Sequence, residues 1–149
     1  GVVSGTPLYL APEALINPDS VDGRSDLYAL GAVGYFMLTG EQVFSGNTVE
    51  VCGHHLHTDP TPPSVRLGRE LPAVLEAVVM QCLAKNPDER PQSAAEIRER
   101  LAACAGIPRW RQADAREWWS EHEEALEPEQ ADVSILETRA LAVDLSRTQ

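Results

Sequence analysis

Three histidines crowd into four positions of the 149-residue sequence, His54, His55 and His57. On a helix, His54 and His57 share a face, as two ligands of one metal ion would. Zinc wants four ligands, and nothing at suitable spacing supplies a third and fourth, so the plainer account is a partly exposed helix and no metal is expected. Cys52, Cys82 and Cys104 form neither a Cys-x-x-Cys knuckle nor an even disulfide set, which points to a reducing, cytoplasmic home. Trp110, Trp118 and Trp119 could stack on a ligand. Two of them lie on one amphipathic stripe, and because a tryptophan buries about 150–250 Å², core packing is the favoured expectation.

Charge narrows the partners. Twelve Lys and Arg against 23 Asp and Glu give a net charge of −11, with no basic stripe to offset it. Nucleic acid and anionic membrane surfaces are therefore not expected partners. The longest uncharged apolar run, Leu27 to Leu38, is too short to span a bilayer, which takes about 20 residues.

The elements that must position these residues are helical. Residues 1–23 carry three Pro and three Gly and read as a structured loop with room for one short helix, Ala11 to Ile16, opened by Pro12. Ser25 or Asp26 can cap a helix continuing to Leu38 and stopped by Thr39-Gly40. Its run is apolar on every face, so it should be surrounded by protein. Asn47 or Thr48 starts a shorter helix to about His57. The stretch Pro60 to Pro72 leaves little but extended loop. Val74, Leu75, Val78, Val79, Cys82 and Leu83 make one helical stripe closed by Asn86-Pro87. Ser93 and Glu96 form an S-x-x-E capping box for a helix with Ala94, Ile97, Leu101 and Cys104 inward. A last helix is expected from about Gln112 to Leu126, docked through Trp118, Trp119 and Leu126. Residues 127–149 have no sustained period and an acidic balance, and read as a mobile tail with at most a short strand near Leu141 to Leu145.

Four segments carry a resemblance. Gly5-Thr6-Pro7-Leu8-Tyr9-Leu10-Ala11-Pro12-Glu13 is G-T-P-x-Y-x-A-P-E. Asp26-Leu27-Tyr28-Ala29-Leu30-Gly31 follows, then Leu38-Thr39-Gly40 with Val43-Phe44-Ser45-Gly46, and finally Cys82 to Pro91, C-L-A-K-N-P-D-E-R-P. In this order and spacing they resemble the end of the activation segment, the start of the central helix, the turn after it and the closing segment of bacterial-type serine/threonine protein kinases. Tyr28 stands where that family usually has Trp. The resemblance covers about residues 1–105 and implies a mainly α fold, the helical lower half of a kinase large lobe. Residues 106–126 would be a Trp-rich helical extension and 127–149 the acidic tail.

The resemblance also implies roles. Thr6 would hydrogen-bond the catalytic aspartate and its neighbouring lysine. Pro7 and Leu8 would line the pocket for the residue after the phospho-acceptor, with Tyr9 packed beside them. Glu13 and Arg90 would form a buried ion pair holding this platform, a geometry a guanidinium fork suits. On its position alone Asp26 is a helix cap; by resemblance it would accept backbone hydrogens from the catalytic loop. Ser4 is the candidate phosphosite. No Gly-rich loop, V-A-I-K lysine, H-R-D-x-x-x-x-N loop or D-F-G motif occurs in the sequence.

The expectation is therefore a fragment, beginning in mid-protein since residue 1 is Gly. Its parent would transfer the terminal phosphate of ATP to protein Ser or Thr with Mg²⁺, a signal-transduction chemistry. The fragment itself would hold no cofactor, supply no catalytic residue and be inactive alone. Its partners would be the protein substrate and the upstream remainder of the kinase domain. The rival readings are a non-catalytic kinase-like scaffold and a helical protein-interaction domain.

Overall fold

Pro12, whose ring pre-sets the helical φ and whose missing N–H costs nothing in a first turn, opens the first helix, α1 (Pro12–Ile16). The computed structural model describes residues 7–105 and 110–126. These belong to two units, one reaching Ala105 and a second containing the last helix. Ser4, Thr6 and the tail 127–149 lie outside the described residues. Six further helices follow: α2 (Gly23–Thr39), α3 (Thr48–His57), α4 (Pro63–Leu67), α5 (Ala73–Cys82), α6 (Ala94–Ala102) and α7 (Gln112–Leu126). Single 3-10 turns sit at Pro7–Tyr9, Pro18–Ser20 and Pro87–Glu89. No strand occurs among the described residues, so the fold is mainly α as expected.

The long helix begins earlier than the sequence pattern suggests. Asp22, not Ser25 or Asp26, is the cap: its carboxylate accepts from the Arg24 backbone N–H at 2.8 Å. Ser25 is unavailable because its hydroxyl donates to the Glu13 carboxylate, and Asp26 is exposed in the first turn. At the other end Gly40 takes φ 73°, the left-handed conformation that a Cβ disfavours, and its N–H closes on the Phe36 carbonyl. A full capping box opens α3, with Asn47 accepting from Val49 and Glu50 and Glu50 accepting in return from the Asn47 N–H. The proline-rich stretch is not all loop. Pro63 at the start and Gly68 just past the end bracket α4, and the Glu76 carboxylate accepts from the Ser64 N–H at 2.6 Å. On α6, Ser93 accepts from the Glu96 N–H, but Glu96 reaches back to the Gln92 N–H instead of the Ser93 one.

Two apolar clusters share α2. Tyr28, Ala32 and Tyr35 pack with Ala11, Val43, Phe44, Val79 and Leu83, while Leu27 packs with Val78, Cys82 and Ile97. Among the described residues α2 is buried on this side only. Leu30, Val33, Phe36 and Met37 on its other side are exposed, so the expectation of a helix enclosed all round is corrected for these residues. Val74, at the start of the α5 stripe, is exposed as well.

In the second unit α7 has the expected bounds, but Trp118 and Trp119 are 38% and 57% exposed, and Trp110 is 67% exposed. The tryptophans are thus not the buried stripe expected from their spacing. The aromatic rings cover one another instead, with Trp118 stacked on His122 at 4.4 Å and edge-on to Trp119 at 5.2 Å. The Leu126 side chain lies outside what is described.

The α2–α5 contact depends on a missing side chain. A Cβ on Gly31 would sit 2.6 Å from the Cys82 Cβ, with the Cys82 backbone close behind. We expect Gly31→Ala to push the helices apart and cost about 1–3 kcal/mol, the usual cost of overpacking, as read by urea denaturation. Gly53→Ala, where nothing stands within 4 Å of the added carbon, should not destabilise.

Candidate functional site

The site grows from one buried arginine. Arg90 follows the 3-10 turn Pro87–Glu89, and its side chain is 0% exposed. Such a charge survives burial only if its hydrogen-bonding capacity is met in full. All five guanidinium N–H groups are used. Nη1 and Nη2 donate to the two carboxylate oxygens of Glu13 at 2.7 and 2.8 Å, a parallel fork. The remaining three reach the carbonyls of Ala84 (2.9 Å), Arg24 (2.9 Å) and Lys85 (3.1 Å). Its flat face lies over the Tyr28 ring, 4.9 Å from the centroid. One side chain thereby ties α1, the start of α2 and the segment after α5.

Burial on its own would raise the Glu13 pKa. The hydrogen bonds from Arg90 and Ser25 outweigh that and hold the carboxyl below the usual glutamate range. Glu13 in turn fixes α1, and the turn Pro7–Tyr9 lies immediately before it. Pro7, Leu8 and Tyr9 are half-buried, and Tyr9 packs against the first apolar cluster. The Gln42 amide stands 3.5 Å from the Tyr9 hydroxyl.

Beneath the turn lies a second buried polar group. His55 is completely buried, and its Nδ1 is 2.8 Å from the Tyr28 hydroxyl. The ring meets Phe44 edge-on at 5.1 Å. Burial lowers the His55 pKa to about 4, nearby Lys85 and His54 adding to the effect while the Leu8 backbone opposes it. Lys85 donates to the His54 carbonyl at 3.2 Å and stands 4.8 Å from the Phe44 centroid. Its own pKa is lowered to about 8, first by burial, with Asp59 opposing and Arg90 assisting.

The structure brings Glu13 and Arg90 together and places Pro7, Leu8 and Tyr9 just before Glu13; Asp26 stands apart, exposed. His54 is stacked on Phe44 and His57 is exposed, and no group of three metal-binding side chains occurs among the described residues. His55 is the residue that sequence reasoning passed over. Two signals pointed to it: Val51 and His55, four apart, form the inner face of α3, and Tyr28 brings a hydroxyl that needs a partner in the core.

Two outcomes follow from these geometries. Arg90→Met strands the Glu13 carboxylate and three carbonyls, and should cost about 3–5 kcal/mol in urea denaturation, as breaking a buried pair does. Stability should also fall with acid. The unfolded chain protonates His55 near its ordinary pKa of about 6.5 while the folded chain resists until about 4, so stability declines across that window. The lowered Glu13 carboxyl adds a second loss, absent above the ordinary glutamate value and growing as pH falls through its own lower one. Denaturation at pH 7, 5.5, 4 and 3 reads both, and His55→Gln should flatten the upper part.

The protein kinase domain family matches residues 2–101. Over 100 residues the chain is 52% identical to the serine/threonine-protein kinase PknB of Mycobacterium tuberculosis, covering 66% of this chain and 16% of that protein. It is 42% identical over 103 residues to Pkn1 of Myxococcus xanthus, covering 68% of this chain and 14% of that kinase. Over 93 residues it is 46% identical to serine/threonine-protein kinase A of a Synechocystis species, covering 60% of this chain and 17% of the relative. The chain thus spans about a sixth of the length of these curated relatives. With its helical architecture and its buried Glu13–Arg90 fork, the chain belongs to the protein kinase domain family and is similar to bacterial serine/threonine kinases over the helical lower half of the large lobe.

Proposed function

We propose that this chain is the substrate platform and lower scaffold of a serine/threonine protein kinase whose whole moves the terminal phosphate of ATP to protein Ser or Thr. The observation that carries this reading is the Glu13–Arg90 pair, 77 positions apart, locking the segment that follows Pro7–Tyr9 to the base of the lobe. Phosphoryl transfer is largely positioning and charge stabilisation, so a fixed surface for the acceptor peptide is itself a catalytic requirement. Pro7 and Leu8 would line the pocket beside the phospho-acceptor, with Tyr9 as their support. Thr6 would reach the catalytic aspartate and lysine, and Ser4 would be the phosphorylation site of this segment.

The ATP and Mg²⁺ of this reaction would be held outside this chain, whose sequence carries none of the Gly-rich, V-A-I-K, H-R-D-x-x-x-x-N or D-F-G motifs. The upstream remainder of the kinase domain is the proposed partner. It would cover the exposed side of α2, where Leu30, Val33 and Phe36 follow one another at three-residue spacing and Met37 is 78% exposed. An apolar groove of about 190 Å³ continues this face, bordered by Leu30, Met37, Leu75 and Leu101. Asp26 stands on the same exposed side, free to meet backbone N–H groups of that remainder. No helix among the described residues is long and apolar enough to cross a membrane. The cytoplasm as the location rests on three free cysteines.

The test is phosphorylation by the longer protein containing this chain. With ATP and Mg²⁺ it should label Ser- and Thr-containing peptides and not a Tyr-only peptide, and the isolated chain should show no saturable ATP binding by calorimetry. A longer protein that labels no Ser or Thr, with its active-site motifs intact, would overturn the reading. In that longer protein Phe36→Glu should lower stability by about 1–3 kcal/mol, because it buries an unpaired charge against the partner half.

A further inference from the structure

In the second unit, α7 carries an aromatic face that the described residues leave open. Trp118 is 38% and Trp119 57% exposed, yet neither ring is loose. His122 lies flat on Trp118 at 4.4 Å, and its Nδ1–H donates to the Trp118 carbonyl at 2.8 Å. Trp119 stands edge-on to Trp118 at 5.2 Å. Rings braced in this way are set before a partner arrives, so little ordering is left for binding to impose. Tryptophan is also among the residues that dominate the binding energy of protein interfaces.

Charge selects the partner. Five acidic residues stand on α7 against Arg116 alone. By helical spacing Asp114 and Glu121 flank Trp118, four before it and three after, while Glu123 flanks Trp119 four after it. Arg116, three before Trp119, is the one cation beside them. Among the described residues none of these three carboxylates is in an ion pair. A second copy of the chain would set acidic rim against acidic rim, and −11 against −11. Nucleic acid and anionic lipid are repelled for the same reason. The segment 127–149 is itself acidic on balance and brings no complementary charge. An arginine or lysine side chain suits both features, because its cation is attracted to an indole face and to the carboxylates beside it.

We propose that α7 is a docking helix for a basic polypeptide segment from outside this chain, which lays Arg or Lys side chains on the Trp118–Trp119 face and sets their charges against Asp114, Glu121 and Glu123. Trp119, the more open ring, carries the cation–π contact, and His122 keeps Trp118 upright beside it. The surface is independent of the kinase reading, so either can fail without the other.

The test uses the full 149-residue chain and short synthetic peptides. A peptide of alternating Arg and Leu should bind by calorimetry and shift the indole N–H signals of Trp118 and Trp119 in ¹⁵N NMR. Raising the salt from about 0.05 to 0.5 M should weaken it about ten-fold. A peptide of alternating Glu and Leu should not bind. Trp119→Leu, which keeps apolar bulk but removes the ring face, should weaken the Arg peptide about ten-fold. Glu121→Gln with Glu123→Gln leaves both rings in place and should weaken it about five-fold, which carries the comparison if the Trp119 variant loses its helix. Absence of binding, equal binding of the Glu peptide, binding indifferent to salt, or shifts confined to Trp110 would each overturn the proposal. So would sedimentation showing that the chain pairs with itself through α7, or indoles already shielded from acrylamide in the chain alone.

Discussion

A charge buried without water has to be answered group by group, and Arg90 is answered five times over. That requirement organises the lower lobe. The fork demands that Glu13 arrive from one direction, which sets α1. The three carbonyls demand that the start of α2 and the segment after α5 converge on the same point. Tyr28 offers its ring face to the guanidinium and its hydroxyl to His55, so the ion pair and the imidazole beneath Pro7–Tyr9 share one aromatic support. Replacing the pair with apolar residues of similar volume would be thermodynamically tolerable in principle. What an apolar pair would lose is direction, which the proposed peptide platform needs.

Much of this was legible in the sequence because the motif residues do their work through type and spacing. The short helix ending at Ile16, a helix start at Asn47, the Gly40 stop and, through the family resemblance, the partnership of Glu13 with Arg90 can all be read before any coordinates. What escaped did so where a side chain had a distant partner. Ser25 is a fair cap by local rules, yet its hydroxyl is spent on Glu13 and the cap passes to Asp22. The segment Pro60 to Pro72 looked extended, but Pro63 is compatible with a first turn and Glu76, 12 residues away from Ser64, supplies the acceptor that α4 needs. His55 was hidden among three neighbouring histidines, and only the position of Tyr28 separates the buried one from the others.

The tryptophans teach a different limit. Spacing tells which side chains of a helix share a face, and Trp118 and His122 do share one, stacked within 4.4 Å. Spacing does not tell what that face meets, and both indoles are exposed. The same holds for α2, whose apolar run calls for protein on all sides. One side has it among the described residues; the other presents Val33, Phe36 and Met37 as the surface on which the proposed partner half would close.

The central claim is that the Glu13–Arg90 fork holds the peptide platform, and a double-mutant cycle on peptide kcat/KM in the longer kinase tests it most directly. Glu13→Gln, Arg90→Met and the pair together are measured against wild type. The account predicts strong coupling, with the double variant no worse than the poorer single one and an interaction energy of about 1–3 kcal/mol, since each residue matters chiefly through the other. Additive losses, with the double variant multiplying the two single effects, would contradict it.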